Sequence, residues 1–396
     1  MRDKILDFFR THPNTLNTFW KTLHVFFAAF GSLVPVRDKT MLITSFAGRK
    51  YDDSPKALYE EILTREEFDD WDIIWAFVDP SRFNIPRGRK IRIDTIPFFM
   101  ALLYSRVWIS NSGMDRNIEI NKKKTIKIET WHGTPLKKIG IDQNSGVLGN
   151  YKPPAKIDTE TIRCAQSGFD REIFARIFAA SPESFLMCDL PRNDALLKYT
   201  DKDIEAVKKN LGIDPGKIVI LYMPTYREYL VNENNQTYLT PPINTEKWTK
   251  KLGRDYVVLI RAHYAVSAAL DIKTDGSFID VSDYPYINDL YSAADLMVSD
   301  YSSSFFDYAI TGKPMLCFAY DLEEYSEKRG LYLDLEKNLP CPVCRDEDRL
   351  IEEIRMLDRE AACNRTRAFR ERFAPFAGNA SKAVVDELIR RLGGRR

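Results

Sequence analysis

Leu296-Met297-Val298-Ser299-Asp300-Tyr301-Ser302-Ser303-Ser304-Phe305-Phe306-Asp307-Tyr308, continued to Phe318, decides the fold. Leu296 to Ser299 is a short apolar strand, and the serines after it can cap a helix start while unpaired backbone N–H groups face outward. Gly312 and Pro314 end that short helix, and Met315 to Phe318 is the next strand. A helix amino terminus beyond a parallel strand is an anion-binding site by geometry and dipole, which makes Ser302 and Ser303 candidate phosphate donors. Asp307, one turn inside, either accepts bonds from ribose hydroxyls or is an ordinary acid favoured by the helix dipole.

The same alternation runs outward in both directions. Toward the amino terminus, Met41 to Ser45, Asp72 to Val78, Val107 to Ser110, Thr125 to Glu129 and Ser184 to Cys188 read as strands, with a helix such as Ser54 to Leu63 between them. A second series comprises Lys217 to Tyr222, Tyr256 to Ile260, Ser277 to Val281, Leu296 to Ser299 and Met315 to Phe318. The helix Asp201 to Leu211, stopped by Gly212, opens this half, and Ser381 to Leu392 is a closing helix. The pattern predicts parallel α/β layers in two domains, 37–190 and 191–396, with the boundary near residues 189 to 200. A length of 396 residues also favours two cores over one.

Composition excludes several classes. Lys+Arg 58 against Asp+Glu 57 leaves a net charge of +1, which gives no global field to gather nucleic acid, so no nucleic-acid partner is expected. Hydrophobic residues at 44% and charged residues at 29% suit a globular chain and argue against disorder. The six cysteines are scattered and read as reduced thiols; Cys341 and Cys344 form a lone CxxC lacking the two further ligands that zinc requires, with Cys363 the nearest candidate. No Asp-x-Asp or His cluster demands a metal, no Gly-x-Gly-x-x-Gly or Gly-Lys-Ser/Thr loop is present, and no cofactor is expected.

Residues 1–36 stand apart. From Leu16 to Val36 the apolar face built by Phe19, Trp20, Leu23, Val25, Phe26, Phe27 and Phe30 is flanked by Arg10, Lys21 and Arg37. Its uninterrupted apolar part falls short of the roughly 20 residues that cross a bilayer. Two readings remain, an amphipathic helix lying in the headgroup region or a helix packed on the protein's own core.

The remaining chemistry sits after the strands, where open parallel sheets bind ligands. Thr125 to Glu129 is followed by Trp131-His132-Gly133-Thr134-Pro135, and an imidazole at such a turn is a natural general base for a hydroxyl, though it can also be a histidine that hydrogen-bonds its loop. Lys217 to Tyr222 leads into Pro224-Thr225-Tyr226-Arg227, and Tyr256 to Ile260 into Arg261-Ala262-His263. Arginine and histidine donors suit a diphosphate, so Arg227, Arg261 and His263 together point to an anion site.

These segments, with Leu190-Pro191-Arg192-Asn193-Asp194 and Ser299-Asp300-Tyr301-Ser302-Ser303, resemble the CDP-glycerol glycerophosphotransferase family of teichoic acid biosynthesis in motif order from about residue 40 to about residue 390. Tyr226 stands where the family pattern has Trp, and Asp189-Leu190 replaces a Gly-x before Pro-Arg-Asn-Asp. The resemblance implies a GT-B-like fold of two Rossmann-like domains facing a central cleft, an acceptor domain at 37–190 and a CDP-polyol domain at 191–396. It also implies transfer of phosphoglycerol from CDP-glycerol, or phosphoribitol from CDP-ribitol, to a hydroxyl of an undecaprenyl-type lipid-linked saccharide, with release of CMP. His132 would be the base, and His263 with Arg261 and Arg227 would hold the diphosphate. Thr225, Asp300, Ser302 and Ser303 would line the donor site, Asp307 would take the ribose, and Arg192 and Asn193 would touch the transferred phosphopolyol. Such an enzyme would be a peripheral membrane protein on the cytoplasmic face, using residues 1–36 to reach the membrane surface. The single catalytic unit suggests a compact primase-like or short-polymer member, and a divalent ion is left open. Two other readings are a GT-B nucleotide-sugar glycosyltransferase, which would release a nucleoside diphosphate in place of CMP, and a catalytically silent membrane scaffold.

Overall fold

The computed structural model describes residues 31, 33–115, 124–143, 157–225, 227, 229, 242–262 and 276–394. His263, Tyr226, the terminal Arg395 and Arg396, and the aromatic segment from Phe19 to Phe30 lie outside these described residues.

Short apolar runs form the strands β1 Arg37–Ile43, β2 Asp72–Phe77, β3 Arg89–Arg92, β4 Ser105–Ser110, β5 Ile126–Glu129, β6 Ile162–Ala165 and β7 Phe185–Met187. The second set is β8 Ile218–Met223, β9 Tyr256–Ile260, β10 Phe278–Asp280, β11 Leu296–Ser299, β12 Met315–Phe318 and β13 Val343–Cys344. The sheets have the orders β3-β2-β1-β4-β5-β6-β7 and β10-β9-β8-β11-β12-β13. Numbered from its own first strand, each contains the doubly wound order 3-2-1-4-5-6, so each has a switch point, between β1 and β4 and between β8 and β11. Two parallel Rossmann-like sheets of this kind make the fold GT-B-like, as the motifs imply.

Each strand read from the sequence has a counterpart, and β3, β6 and β13 are additions. The strands are nearly continuous buried runs, as parallel sheets require: β4 is buried at every position and β2 at all but its first. Local chemistry fixes the helices between them. Thr200 accepts from the Asp203 N–H while Asp203 accepts from the Thr200 N–H, a reciprocal cap that starts the helix Asp201–Asn210, and Gly212 at φ +70° follows its end.

The chain forms two compact units, one of Met1–Trp131, Glu160–Arg163 and Val384–Arg396, the other of His132–Thr159 and Cys164–Ala383. In the first, Leu42, Ile74, Ala76, Phe98, Leu102 and Trp108 form a core cluster. In the second, a larger core gathers β8, β9, β11 and β12 around the buried Trp248, Phe305 and Phe306. All six cysteines are free thiols; Cys317, Cys341 and Cys344 are part of that core, and burial pushes the Cys344 thiol up to about 12. No group of three or more metal-ligating side chains occurs among the described residues.

Candidate active site

The second unit brings the His132 loop, the Arg192 turn and the helix Ser304–Ala309 together. Beyond β5 the chain passes through Trp131 at φ +57° into His132 and Gly133, where φ is +146°. A Cβ on Gly133 would lie 2.6 Å from Ser303 Oγ and 2.8 Å from Ser303 Cβ, so only glycine lets the backbone come this close to the helix start. Arg192 Nη1 donates to the His132 carbonyl at 3.0 Å, while Arg192 Nη2 donates to Asp307 Oδ2 at 2.6 Å. His132 is therefore tied, through its own backbone, to the β11 loop and its helix.

Behind this contact lies a buried polar chain that the sequence did not reveal. Asn193 Nδ2 donates to Asp307 Oδ1 at 2.9 Å and to Asp189 Oδ1 at 3.2 Å. Gln166 donates from Nε2 to Asp189 Oδ1 and accepts from the Thr134 hydroxyl at 2.6 Å, returning to the His132 loop. Asp170 fixes the base of this chain by accepting from the N–H groups of Gln166 and Ser167, each at 2.7 Å. Burial, and after it the charge of Asp307, push the Asp189 carboxyl up to about 7 against hydrogen bonds from Leu190, Asn193 and Gln166. Burial likewise raises Asp170 to about 6. In the first unit, at the end of β5, burial raises the Glu129 carboxyl to about 7 although Gly113 N–H donates to its Oε2 at 3.1 Å. Gln166, Asp170 and Asp189 are the residues of this buried chain that motif reading did not place in the site; Asp189 directly precedes the Leu190 motif, and Gln166 and Asp170 flank the start of the helix Gly168–Ile177, and that position was their one visible signal.

Asp307 is buried and holds Arg192 and Asn193, so its carboxylate is committed to protein donors, and a ribose would have to displace them. Arg192 itself is half-buried beside Gly133 and faces the His132 loop. Asn193 is fully buried and donates to Asp307, so it has no exposed surface to offer a phosphopolyol.

At the β8/β11 switch point the two strand ends lie side by side, with Ser299 Oγ donating to the Met223 carbonyl at 2.7 Å. Asp300 Oδ1 accepts from the N–H groups of Thr225 at 2.9 Å and Tyr301 at 2.7 Å, fixing both loops. Arg227 is 0% exposed. Its Nε and Nη2 donate to the two Asp321 oxygens at 2.8 Å, and Nη1 reaches Asp300 Oδ2 at 2.9 Å and the Thr225 carbonyl. The rings of Tyr301, Tyr320 and Tyr325 surround it at 4.9 to 5.2 Å. Burial opposes the charge, but Asp300 and Asp321 more than offset it and hold the guanidinium charged. The expectation that Arg227 contacts phosphate is corrected accordingly: its donors are used inside the protein, where it locks the loops that present Thr225 and Ser302. Arg261 donates to the carbonyls of Tyr284 at 2.7 Å and Val281 at 3.3 Å, which anchors the end of β9. Ser302 Oγ accepts from the Ser304 N–H at 3.1 Å, and Ser302, Ser303 and Thr225 are half-buried at the switch point.

The two doubly wound sheets, with polar groups gathered beyond the strand ends, define a GT-B-like transferase architecture. Over residues 26–390 the chain matches the CDP-Glycerol:Poly(glycerophosphate) glycerophosphotransferase family, and it belongs to that family of teichoic acid biosynthesis enzymes. It is 33% identical to the teichoic acid glycerol-phosphate transferase of Staphylococcus aureus over 87% of this chain and 91% of the relative. It is 31% identical to the teichoic acid poly(glycerol phosphate) polymerase of Staphylococcus epidermidis over 89% of this chain but 51% of the relative, and so spans about half that protein's length. A solved structure of the wall teichoic acid polymerase TagF, in a His-to-Asn variant, aligns with TM-score 0.82 at 28% identity, covering 96% of this chain and 98% of that one.

Proposed function

We propose that this chain transfers phosphoglycerol from CDP-glycerol to a hydroxyl of a membrane lipid-linked saccharide acceptor and releases CMP. The observation that carries the reading is the close approach of Gly133 to Ser303, which sets His132 beside the polar strand ends of the β8/β11 switch point. In this reading His132 takes the proton of the acceptor hydroxyl as its oxygen attacks the β-phosphorus. The new O–P bond forms as the bond from that phosphorus to the bridging oxygen breaks, and CMP leaves with the bridging oxygen. Ser302, Ser303 and backbone N–H groups at the switch point meet phosphate oxygens, and Thr225 lines the same loop. His263, next to Arg261, holds the diphosphate. Arg192 acts by fixing the His132 backbone, Asn193 and Asp307 by fixing Arg192, and Asp300 with Arg227 by fixing the loops.

The division into an acceptor domain at 37–190 and a donor domain at 191–396 belongs to this proposal, as does attachment through residues 1–36 to the cytoplasmic face of the membrane. No helix among the described residues is long and apolar enough to cross a membrane. Deleting residues 1–36 is expected to lower liposome sedimentation and activity on a long-chain acceptor while CDP-glycerol binding persists. The function itself is tested by incubating the protein with CDP-glycerol and with CDP-ribitol, each with a lipid-linked disaccharide, and weighing the products. One added glycerophosphate marks a primase, a ladder marks a polymerase, and mass gained only from CDP-ribitol overturns the donor assignment.

A further inference from the structure

The first unit carries a depression of about 730 Å³ at the carboxyl ends of β1, β2 and β3, away from the residues discussed so far. Its volume falls within the roughly 300–1,000 Å³ of small-molecule sites. Arg49, just beyond β1, Arg82, in the turn after β2, and Arg92, at the end of β3, all line it. Among the described residues none of the three has a carboxylate within ion-pair distance, and Arg49 Nη1 makes only a 3.5 Å bond to the Phe46 carbonyl, whereas neighbouring cations of the same basic stretch are more closely engaged. Arg89 pairs with Asp72 at 3.1 Å, Arg87 with Asp69 at 3.7 Å, and Lys90 donates to the Phe83 carbonyl at 2.7 Å. Two carboxylates also line the depression, those of Asp79 and Asp94. Asp79 is turned to its own loop, accepting from the Ser81 hydroxyl at 2.6 Å and N–H at 3.1 Å.

The walls are firmly built. Phe46 and Ala47 adopt left-handed φ of +45° and +52°, held by N–H bonds to Asn111 Oδ1 at 2.8 Å and Ser112 Oγ at 3.0 Å across the β1/β4 switch point. Val78 N–H donates to the Gly48 carbonyl at 2.7 Å, and Ile93 N–H to the Phe77 carbonyl at 2.8 Å, so all three strand ends are pinned together. Half-buried Phe83 packs on Phe77 with ring centroids 4.7 Å apart and supplies an apolar wall among the guanidiniums.

We propose that this depression is a second substrate site, for a phosphodiester-linked polyol. Guanidinium forks match phosphate oxygens, their spread over three strand ends suits successive phosphates of one strand, and Phe83 suits the carbon backbone between them. The proposal rests on the glycerophosphate-transfer reading and on its polymerase outcome, in which the acceptor already carries polyol phosphate; the site is then where the acceptor's anionic portion is held. The same diester chemistry occurs in anionic lipid headgroups, so the test has an arm for each source. A soluble glycerophosphate trimer, vesicles of phosphatidylglycerol and CDP-glycerol are each titrated into the full chain and into the variant Arg49→Gln/Arg82→Gln/Arg92→Gln, all three positions being exposed. Loss of trimer affinity by about tenfold or more, with CDP-glycerol affinity retained as proof of folding, is the expected result. Equal trimer affinity in the two proteins, or loss of vesicle binding with no trimer binding to either, overturns it. Failure of the full chain to bind CDP-glycerol while the trimer binds would sink the proposed donor and leave this site standing; the variant's thermal unfolding then reports its folding.

Discussion

Arg192 and Arg227 each stand in a motif expected at the substrate, the first at the phosphopolyol and the second at the diphosphate; each pairs with aspartate, and they have opposite fates. Arg192 donates from Nη2 to Asp307 and from Nη1 to the His132 carbonyl, and it is half-buried. Arg227 has two carboxylate partners, a carbonyl and three tyrosine rings, with no surface exposed. Burial and the groups each guanidinium reaches, more than residue type or motif position, separate an arginine that positions a reacting group from one that holds loops together.

The largest expected effect breaks that comparison at its structural end. Arg227→Ala would strand Asp300 and Asp321, and removing one partner of a buried ion pair costs about 3–5 kcal/mol, so denaturant unfolding should show a loss of that order. Arg192→Ala should cost less stability and lower turnover, because the His132 backbone loses its tether. Comparable destabilisation by both would erase the distinction.

Next is Gly133→Ala, which drives a methyl into Ser303 and puts a side chain at an unfavourable φ. A displacement of this kind near reacting groups can cost on the order of 10²-fold in rate, and a kinetic assay should show it in a protein that still folds. Ser303→Gly removes the clash together with a proposed phosphate donor, so the check is unfolding stability: the double variant should regain part of the stability that Gly133→Ala loses, and no recovery would mean that backbone strain, and not the close approach, explains the glycine.

The smallest effect is one of pH. Asp189 has its carboxyl raised to about 7 from an ordinary 3.8, so the folded state binds this proton more tightly than the unfolded chain. Its contribution is unfavourable once it ionises: stability is lost as pH climbs from about 4 to about 7 and stays lost above. Asp189→Asn keeps an acceptor at Oδ1 and removes the titration, so it should gain stability relative to wild type at pH 8, on the order of 2 kcal/mol, with the gain fading near pH 4. Unfolding curves at the two pH values check this, and a pH-independent difference would assign the ionisation elsewhere.

Much of the fold was legible because parallel strands buried on both faces are short apolar runs, as in Leu296 to Ser299 and Tyr256 to Ile260. β3 escaped because Arg89-Lys90-Ile91-Arg92 is a sheet edge with one buried residue, and β6 because Ile162 to Ala165 is brief and carries an arginine. The motifs did bring His132, Arg192, Ser303 and Asp307 into one neighbourhood. What they could not show was who holds whom. Arg227 meets Asp300 and Asp321 across 73 and 94 residues of chain, and the Gln166, Asp189 and Asn193 chain exists only once three loops are packed. The basic stretch from Arg82 to Arg92 carries no motif in the sequence, and which of its cations lack a carboxylate partner is revealed only by the fold.

The central claim is that His132 takes the acceptor proton at a site whose phosphate donors are contributed by the β8/β11 switch point. Single-turnover transfer from CDP-glycerol by His132→Ala, with CDP-glycerol affinity measured on the same sample, tests it most directly. The account predicts donor affinity close to wild type and transfer slowed by about 10²- to 10⁴-fold. Transfer at the wild-type rate by the folded variant would contradict it.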